Sequence, residues 1–332
     1  MVIATGIGSY PGEDFEETLR IVLGELPDLP HLPELPDRGV TSGMLGRGLA
    51  VMAELGVDLQ PAGWRLTDAP GVDHRRARSL LAQDLDSLEE QTQGARSWQG
   101  GAFKIQVAGP WTLAATVEKP RGDKVLSDVG ARRELAQALA EGVRAHVADV
   151  RRRLPGVERL VVQIDEPMLS MVLAGKVHTA SGFGRHRTVH PPEASEALAW
   201  VLDAVSDEGA EPWVHTCAAG TPLALLGTSG ARGISVDLGL MTAADHDALA
   251  EALEGGETVA LGVVPSLDPT SAPTDSEVTE RVLRWLDMLG LDPAEVGDRL
   301  VLTPTCGLAG ASPGWSRQAL ALLRTTAANL TD

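Results

Sequence analysis

Pro212-Trp213-Val214-His215-Thr216-Cys217 is an apolar run that ends in two side chains able to bind a metal, and Ile234-Ser235-Val236-Asp237 ends the next such run in a carboxylate. Short runs of this kind recur along the chain. Strands are expected near residues 2–8, 102–108, 159–165, 212–217, 232–237, 258–264 and 299–305. Amphipathic helices are expected near 14–25, 42–55, 73–97, 128–153, 194–207, 242–254, 275–289 and 315–329. Strands that alternate with helices build a parallel sheet covered by helices, an α/β fold. Seven strands are clear. An eighth, around 59–67 or 173–180, would complete a (β/α)8 TIM-type barrel, whereas a doubly wound open sheet would accept seven. The barrel is preferred because polar residues gather at strand C-terminal ends, where such barrels build their sites. Pro-rich 27–37 and Gly/Arg-rich 181–192 read as long loops over that face, and His190-Pro191-Pro192 starts a helix. With no repeat and no linker, residues 1–332 read as one domain.

A chain of 332 residues with 43% hydrophobic content can bury a large core. Seven Trp, three Phe and one Tyr leave Leu, Val and Ala to fill it. The balance of 28 basic against 46 acidic residues gives −18, a surface that repels phosphate backbones and anionic lipid, so neither nucleic acid nor membrane is expected as a partner. The start, Met1-Val2-Ile3-Ala4-Thr5-Gly6, has neither the basic residues nor the apolar stretch of a signal peptide.

The chain has two cysteines, Cys217 and Cys306, the latter in Thr303-Pro304-Thr305-Cys306-Gly307-Leu308. Each could be a small buried hydrophobe, and the two could pair as a disulfide. Alternation along a strand, however, puts His215 and Cys217 on one face. With Cys306 and Asp237 they make one imidazole, two thiolates and one carboxylate, a set suited to Zn2+. Free thiols serving as ligands would fit the reducing cytoplasm.

Ile7-Gly8-Ser9, Gln163-Ile164-Asp165-Glu166-Pro167, His215-Thr216-Cys217, Ile234-Ser235-Val236-Asp237 and Cys306-Gly307-Leu308 occur in an order that resembles the catalytic half of cobalamin-independent methionine synthase. The resemblance spans almost the whole chain. It implies a barrel of the uroporphyrinogen decarboxylase/methionine synthase type, in which zinc activates the thiol of homocysteine for methyl transfer. Carried over by position, His215, Cys217 and Cys306 match zinc ligands, Asp237 stands at the third-ligand carboxylate, and Ile7, Gly8, Ser9 and Asp165 match the homocysteine site. Glu34, in Leu32-Pro33-Glu34-Leu35-Pro36, is a candidate second carboxylate for the substrate amine.

The departures are as informative. The family's carboxylate ligand is Glu, one methylene longer than Asp237. Pro265-Ser266-Leu267-Asp268-Pro269 carries Leu267 where the family has a general-acid histidine, and His186 and His190 are the candidate replacements. Thr116 stands where a pterin-stacking Trp is found, Met171 replaces an acidic residue, and the N-terminal half of the long enzymes is absent. These losses argue against free methyltetrahydrofolate as the donor, and short family members suggest a methyl-corrinoid or a corrinoid protein instead. Two other readings are zinc-dependent alkyl transfer to or from another small thiol, and a non-catalytic zinc-binding accessory protein. A porphyrin decarboxylase, which needs several basic residues and no thiolates, fits less well.

Overall fold

The computed structural model describes every residue except 95–97, 99 and 332. In chain order the strands are β1 (Ile3–Ala4), the hairpin pair β2 (Gly56–Gln60) and β3 (Gly63–Thr67), β4 (Gly101–Ala108), β5 (Val157–Asp165), β6 (Glu211–Thr216), β7 (Gly233–Asp237), β8 (Thr258–Val264) and β9 (Leu300–Pro304). The helices are α1 (Phe15–Glu25), α2 (Met44–Val51), α3 (Val72–Gly94), α4 (Pro110–Thr116), α5 (Val129–Arg153), α6 (Leu169–Leu173), α7 (Pro191–Asp207), α8 (Leu223–Thr228), α9 (Ala243–Glu254), α10 (Asp275–Leu289), α11 (Pro293–Val296) and α12 (Pro313–Asn329). Their ends follow local chemistry. Asp14 caps α1 by accepting from the Glu17 N–H, Thr274 and Glu277 form a capping box on α10, and Gly290 ends that helix at φ 71°. Among the described residues no helix is long and apolar enough to cross a membrane.

Seven strands form one sheet in the order β1-β9-β8-β7-β6-β5-β4, and every pairing in it is parallel. The expected eighth strand is not formed. Residues 56–60 and 63–67 make a separate antiparallel hairpin, and residues 173–180 run from the end of α6 into a loop.

The segment read as a loop over the face, 27–37, instead lies between the edges β4 and β1. Lys104 N donates to Pro30 O (2.9 Å) and Leu32 N to Lys104 O (2.9 Å), while Glu34 N donates to Gly8 O (3.0 Å) and Tyr10 N to Glu34 O (2.8 Å). Pro27, Pro30, Pro33 and Pro36 remove every third amide donor, so the segment makes isolated bridges and no continuous ladder.

The sheet curls around an interior of its own. Ile3, Leu29, Ala102, Val161, Trp213, Ala260 and Val301, from six strands and the bridging segment, pack into a cluster separate from the main core between sheet and helices. Strand alternation brings residues two further along to the same face. Those residues are Thr5, His31, Lys104, Gln163, His215 and Thr303, with Gly262 the one non-polar member, all buried. An apolar floor therefore carries a buried polar layer, and the strand ends that follow it form the site.

Candidate metal and substrate site

A ring nitrogen of His215, at the end of β6, and the sulfurs of Cys217 and Cys306 lie within 4.8 Å of one another. Strand alternation aligns His215 with Cys217, and the turn after β9 brings Cys306 to them with Cα atoms 5.7 Å apart. His215 Nδ1 shares a hydrogen bond with Ser235 Oγ (2.9 Å), whereas Nε2 is buried without a partner. Burial, helped by the Lys104 charge, pushes the imidazole down to about 3, so the ring is neutral and its Nε2 lone pair is available. An orphaned, neutral imidazole nitrogen beside two sulfurs fits a metal of zinc's ligand preference.

Two expectations change here. The sulfurs of Cys217 and Cys306 are joined as a disulfide, so neither is a free thiol and the argument for the cytoplasm built on free thiols loses its footing. A disulfide sulfur carries no thiolate charge, so metal binding requires this bond to be reduced. Asp237 is not in the group. Its Oδ1 accepts from Gly239 N (2.8 Å), capping the turn 238–240, because a side chain this short is satisfied by its own backbone.

The residues proposed for substrate gather beside this group. Asp165 lies opposite His215 in the β5–β6 register, and Glu166 N donates to His215 O (2.8 Å). Ser9 O accepts from Leu308 N (2.9 Å), which ties Ile7-Gly8-Ser9 to the Cys306 turn. A side chain at Gly8 would place its Cβ 2.7 Å from the Gln106 amide, so the close approach of this backbone to β4 requires glycine. Glu34 is buried, with Gln106 Nε2 3.2 Å and Arg47 Nε 3.7 Å from its Oε1. Loop glutamates are usually solvated, and this one is held inside by the 30–34 segment. Burial and then the Glu34 charge raise the Asp165 carboxyl well above the usual range, and burial raises Glu34 as well.

Sequence reasoning missed several members. Lys104 is buried under the two carboxylates, with Nζ donating to Ile7 O (2.8 Å) and Gln163 Oε1 (2.9 Å). Arg47 and Arg38 both bond Asp84, so a buried chain of charges runs behind Glu34. Glu166 accepts from Trp111 N, Thr112 N and Thr112 Oγ1 at 2.7–2.8 Å, which makes Gly109-Pro110-Trp111-Thr112 a helix start built on a carboxylate. The available signal was polar residues at 104, 106, 163 and 165 on equivalent faces of neighbouring strands.

His186 faces Asp123 (3.3 Å) between two loops, His190 precedes α7 without a side-chain cap bond, and Leu267 is 59% exposed. Thr116 Oγ1 bonds back to Thr112 O within α4, and Met171 is at the surface.

A family model described as cobalamin-independent synthase, catalytic domain, matches residues 95–329. Ile7-Gly8-Ser9 and Glu34 precede the matched range. Among solved structures, a B12-independent methionine synthase from Shewanella sp. W3-18-1 in complex with selenomethionine is similar over 100% of this chain and 98% of its own, with 15% identity and a TM-score of 0.62. The 3-keto-D-glucoside 4-epimerase of E. coli aligns over 98% of this chain and 99% of its own at 12% identity and a TM-score of 0.48. An endo-beta-1,4-mannanase double mutant from Cellulomonas fimi aligns over 100% of this chain and 70% of its own at 14% identity and a TM-score of 0.48. No curated protein matches. The family's description as cobalamin-independent conflicts with the methyl-corrinoid donor expected above, and that donor is withdrawn.

Proposed function

The chain belongs to the cobalamin-independent synthase family, and from that premise we propose that it is a zinc-dependent methyltransferase that converts homocysteine to methionine. One observation carries this reading. The buried, unpartnered Nε2 of a neutral His215 is grouped with the only two cysteines of the chain, one strand away from the carboxylate of Asp165.

His215, Cys217 and Cys306 would hold the ion once the cysteines are reduced, leaving a fourth position open as in catalytic rather than structural sites. Zinc bound there would deprotonate a substrate thiol at neutral pH and keep it nucleophilic. Nδ1 of His215 shares its hydrogen bond with Ser235 Oγ, and the tautomer that donates there presents Nε2 to the ion. Asp165 and Glu34 accept the substrate ammonium, and each carboxylate that ion-pairs with it is held ionised against the burial that raises both. Backbone bonds from Glu34 to Gly8 and from Leu308 to Ser9 tie Ile7-Gly8-Ser9 to the same group. In the transfer a carbon–sulfur bond forms to homocysteine, the donor's bond to the methyl breaks with its electron pair, and the thiol proton leaves to solvent.

Leu267 supplies no proton, so the donor fits best as one whose leaving group departs neutral without protonation, such as a sulfonium, rather than free methyltetrahydrofolate. The disulfide favours one competing reading, a chain whose cysteines serve structure alone. Protein purified under reducing conditions decides between them. About one zinc per chain together with homocysteine binding supports the methyltransferase, whereas a metal-free protein that is indifferent to homocysteine sinks it.

A further inference from the structure

Lys104 has no exposed surface, although a lysine is among the costliest side chains to bury. Burial lowers its pKa to about 7, against the Asp165 and Glu34 charges that favour the ammonium, and its Nζ is used. Nζ donates to the carbonyl of Ile7 (2.8 Å) and to Oε1 of Gln163 (2.9 Å). Gln163 Nε2 donates in turn to the same Ile7 carbonyl (2.9 Å) and to Oδ1 of Asp165 (2.7 Å). Because the ammonium can only donate, the amide oxygen of Gln163 must face it, and the amide NH2 must then face Asp165 and Ile7. The other oxygen of Asp165 accepts no hydrogen bond from the described residues.

We propose that Lys104 and Gln163 are positioning residues of the amino-acid site, which lock Asp165 and the Ile7-Gly8-Ser9 backbone into one arrangement and leave Asp165 Oδ2 free for a substrate ammonium. The proposal rests on the reading of Asp165 as the ammonium acceptor. It assigns the pair to selection of thiols that carry an amino group, and not to holding the metal or moving the methyl group. The lysine also sets the field of the pocket, because the charges facing it are the carboxylates Asp165 and Glu34, with the imidazoles of His31 and His215 beyond. Gln163 is what converts that field into a direction.

The test compares Lys104→Met, Lys104→Arg and Gln163→Leu with the wild type in zinc-loaded, reduced protein, using two ligands. Homocysteine carries the ammonium, and 4-sulfanylbutanoate is the same thiol without it. Lys104→Met and Gln163→Leu are expected to weaken homocysteine binding about tenfold, the loss of one charge-assisted hydrogen bond, and to leave 4-sulfanylbutanoate and zinc content unchanged. Lys104→Arg should restore part of the homocysteine affinity. Equal weakening of both ligands would mark a merely structural role and overturn the proposal.

Crystal structures of the variants give a reading that needs no ligand. Asp165 Oδ1 and the Ile7 carbonyl should shift in Lys104→Met, and if both stay in place the proposal fails. Wild type that binds neither thiol would refute the homocysteine function, while these structures still decide the positioning role. Should Lys104→Met not fold, Gln163→Leu carries the same comparison with the lysine intact.

Discussion

His215 and Ser235 share a 2.9 Å hydrogen bond between Nδ1 and Oγ across neighbouring strands β6 and β7, and this bond orients the buried, unpartnered Nε2. Outer groups of this kind typically change metal affinity 10–100-fold. Ser235→Ala should therefore weaken zinc binding by about that factor with the fold retained, as read by competition with a chromophoric chelator. Unchanged affinity would mean that packing alone holds the ring.

Metal content separates the ligands from their neighbour. Cys217→Ser and Cys306→Ser should each lose most of the bound zinc. Asp237→Ala should keep it, because that carboxylate is engaged by Gly239, and should cost only about 1 kcal/mol of stability through the lost cap. Elemental analysis reads the first two and thermal melting the third. Full zinc retention in both cysteine variants would remove the site.

Burial also sets a pH dependence away from the site. His146, in α5, is pushed down to about 4 by burial, with the Arg47 charge acting in the same direction. Its folded value lies below its unfolded one, near 6.5, so its contribution is present above pH 6.5 and is lost as pH falls toward 4. The loss amounts to about 3 kcal/mol by linkage. His146→Leu should flatten the stability profile over that window in urea titrations, and a slope equal to wild type would place the acid sensitivity elsewhere.

The seven strands of the sheet and the eight long helices could be read from periodicity, since each carries a clear apolar pattern. The bridging segment could not. Four prolines at every third position erase the alternation that marks a strand, although the backbone still lies along one. Lys104 and Gln106 were hidden for the opposite reason. Their alternation with Phe103, Ile105 and Val107 looks like a half-solvated strand, yet the polar face here points into the interior and the apolar face toward the helices. That His215, Cys217 and Cys306 come together was legible because each ends or follows an apolar strand and strand alternation puts His215 and Cys217 on one face. Asp237 misled because a carboxylate at a strand end caps a turn as readily as it binds an ion.

Asp165 offers one engaged oxygen and one free one. Asp165→Asn keeps the shape and removes the charge, so zinc should remain while homocysteine affinity falls by roughly 1–2 kcal/mol, the difference between a charge-assisted and a neutral hydrogen bond. Calorimetric titration checks it, and equal affinity would assign Asp165 to structure. Glu34→Gln should act in the same direction but disturb the Arg47–Asp84 pair as well, so its melting temperature should also drop.

The choice of methyl donor follows from Leu267. A folate amine is a poor leaving group that must gain a proton as the methyl departs, and the resemblance to the family sets Leu267, an exposed leucine, at the position of the acid histidine. His186, the other candidate, faces Asp123 between two loops, and burial lowers its affinity for a proton. A sulfonium leaves as a neutral thioether and needs no acid. Zinc-loaded, reduced protein given homocysteine should therefore form methionine from a methyl sulfonium at a rate at least about a hundredfold above that from methyltetrahydrofolate, the lower end of what general acid catalysis contributes. Methionine release with each donor in parallel measures the ratio. Equal or faster turnover on methyltetrahydrofolate would show that another group, still to be located on the loops after β4 and β5, delivers the proton.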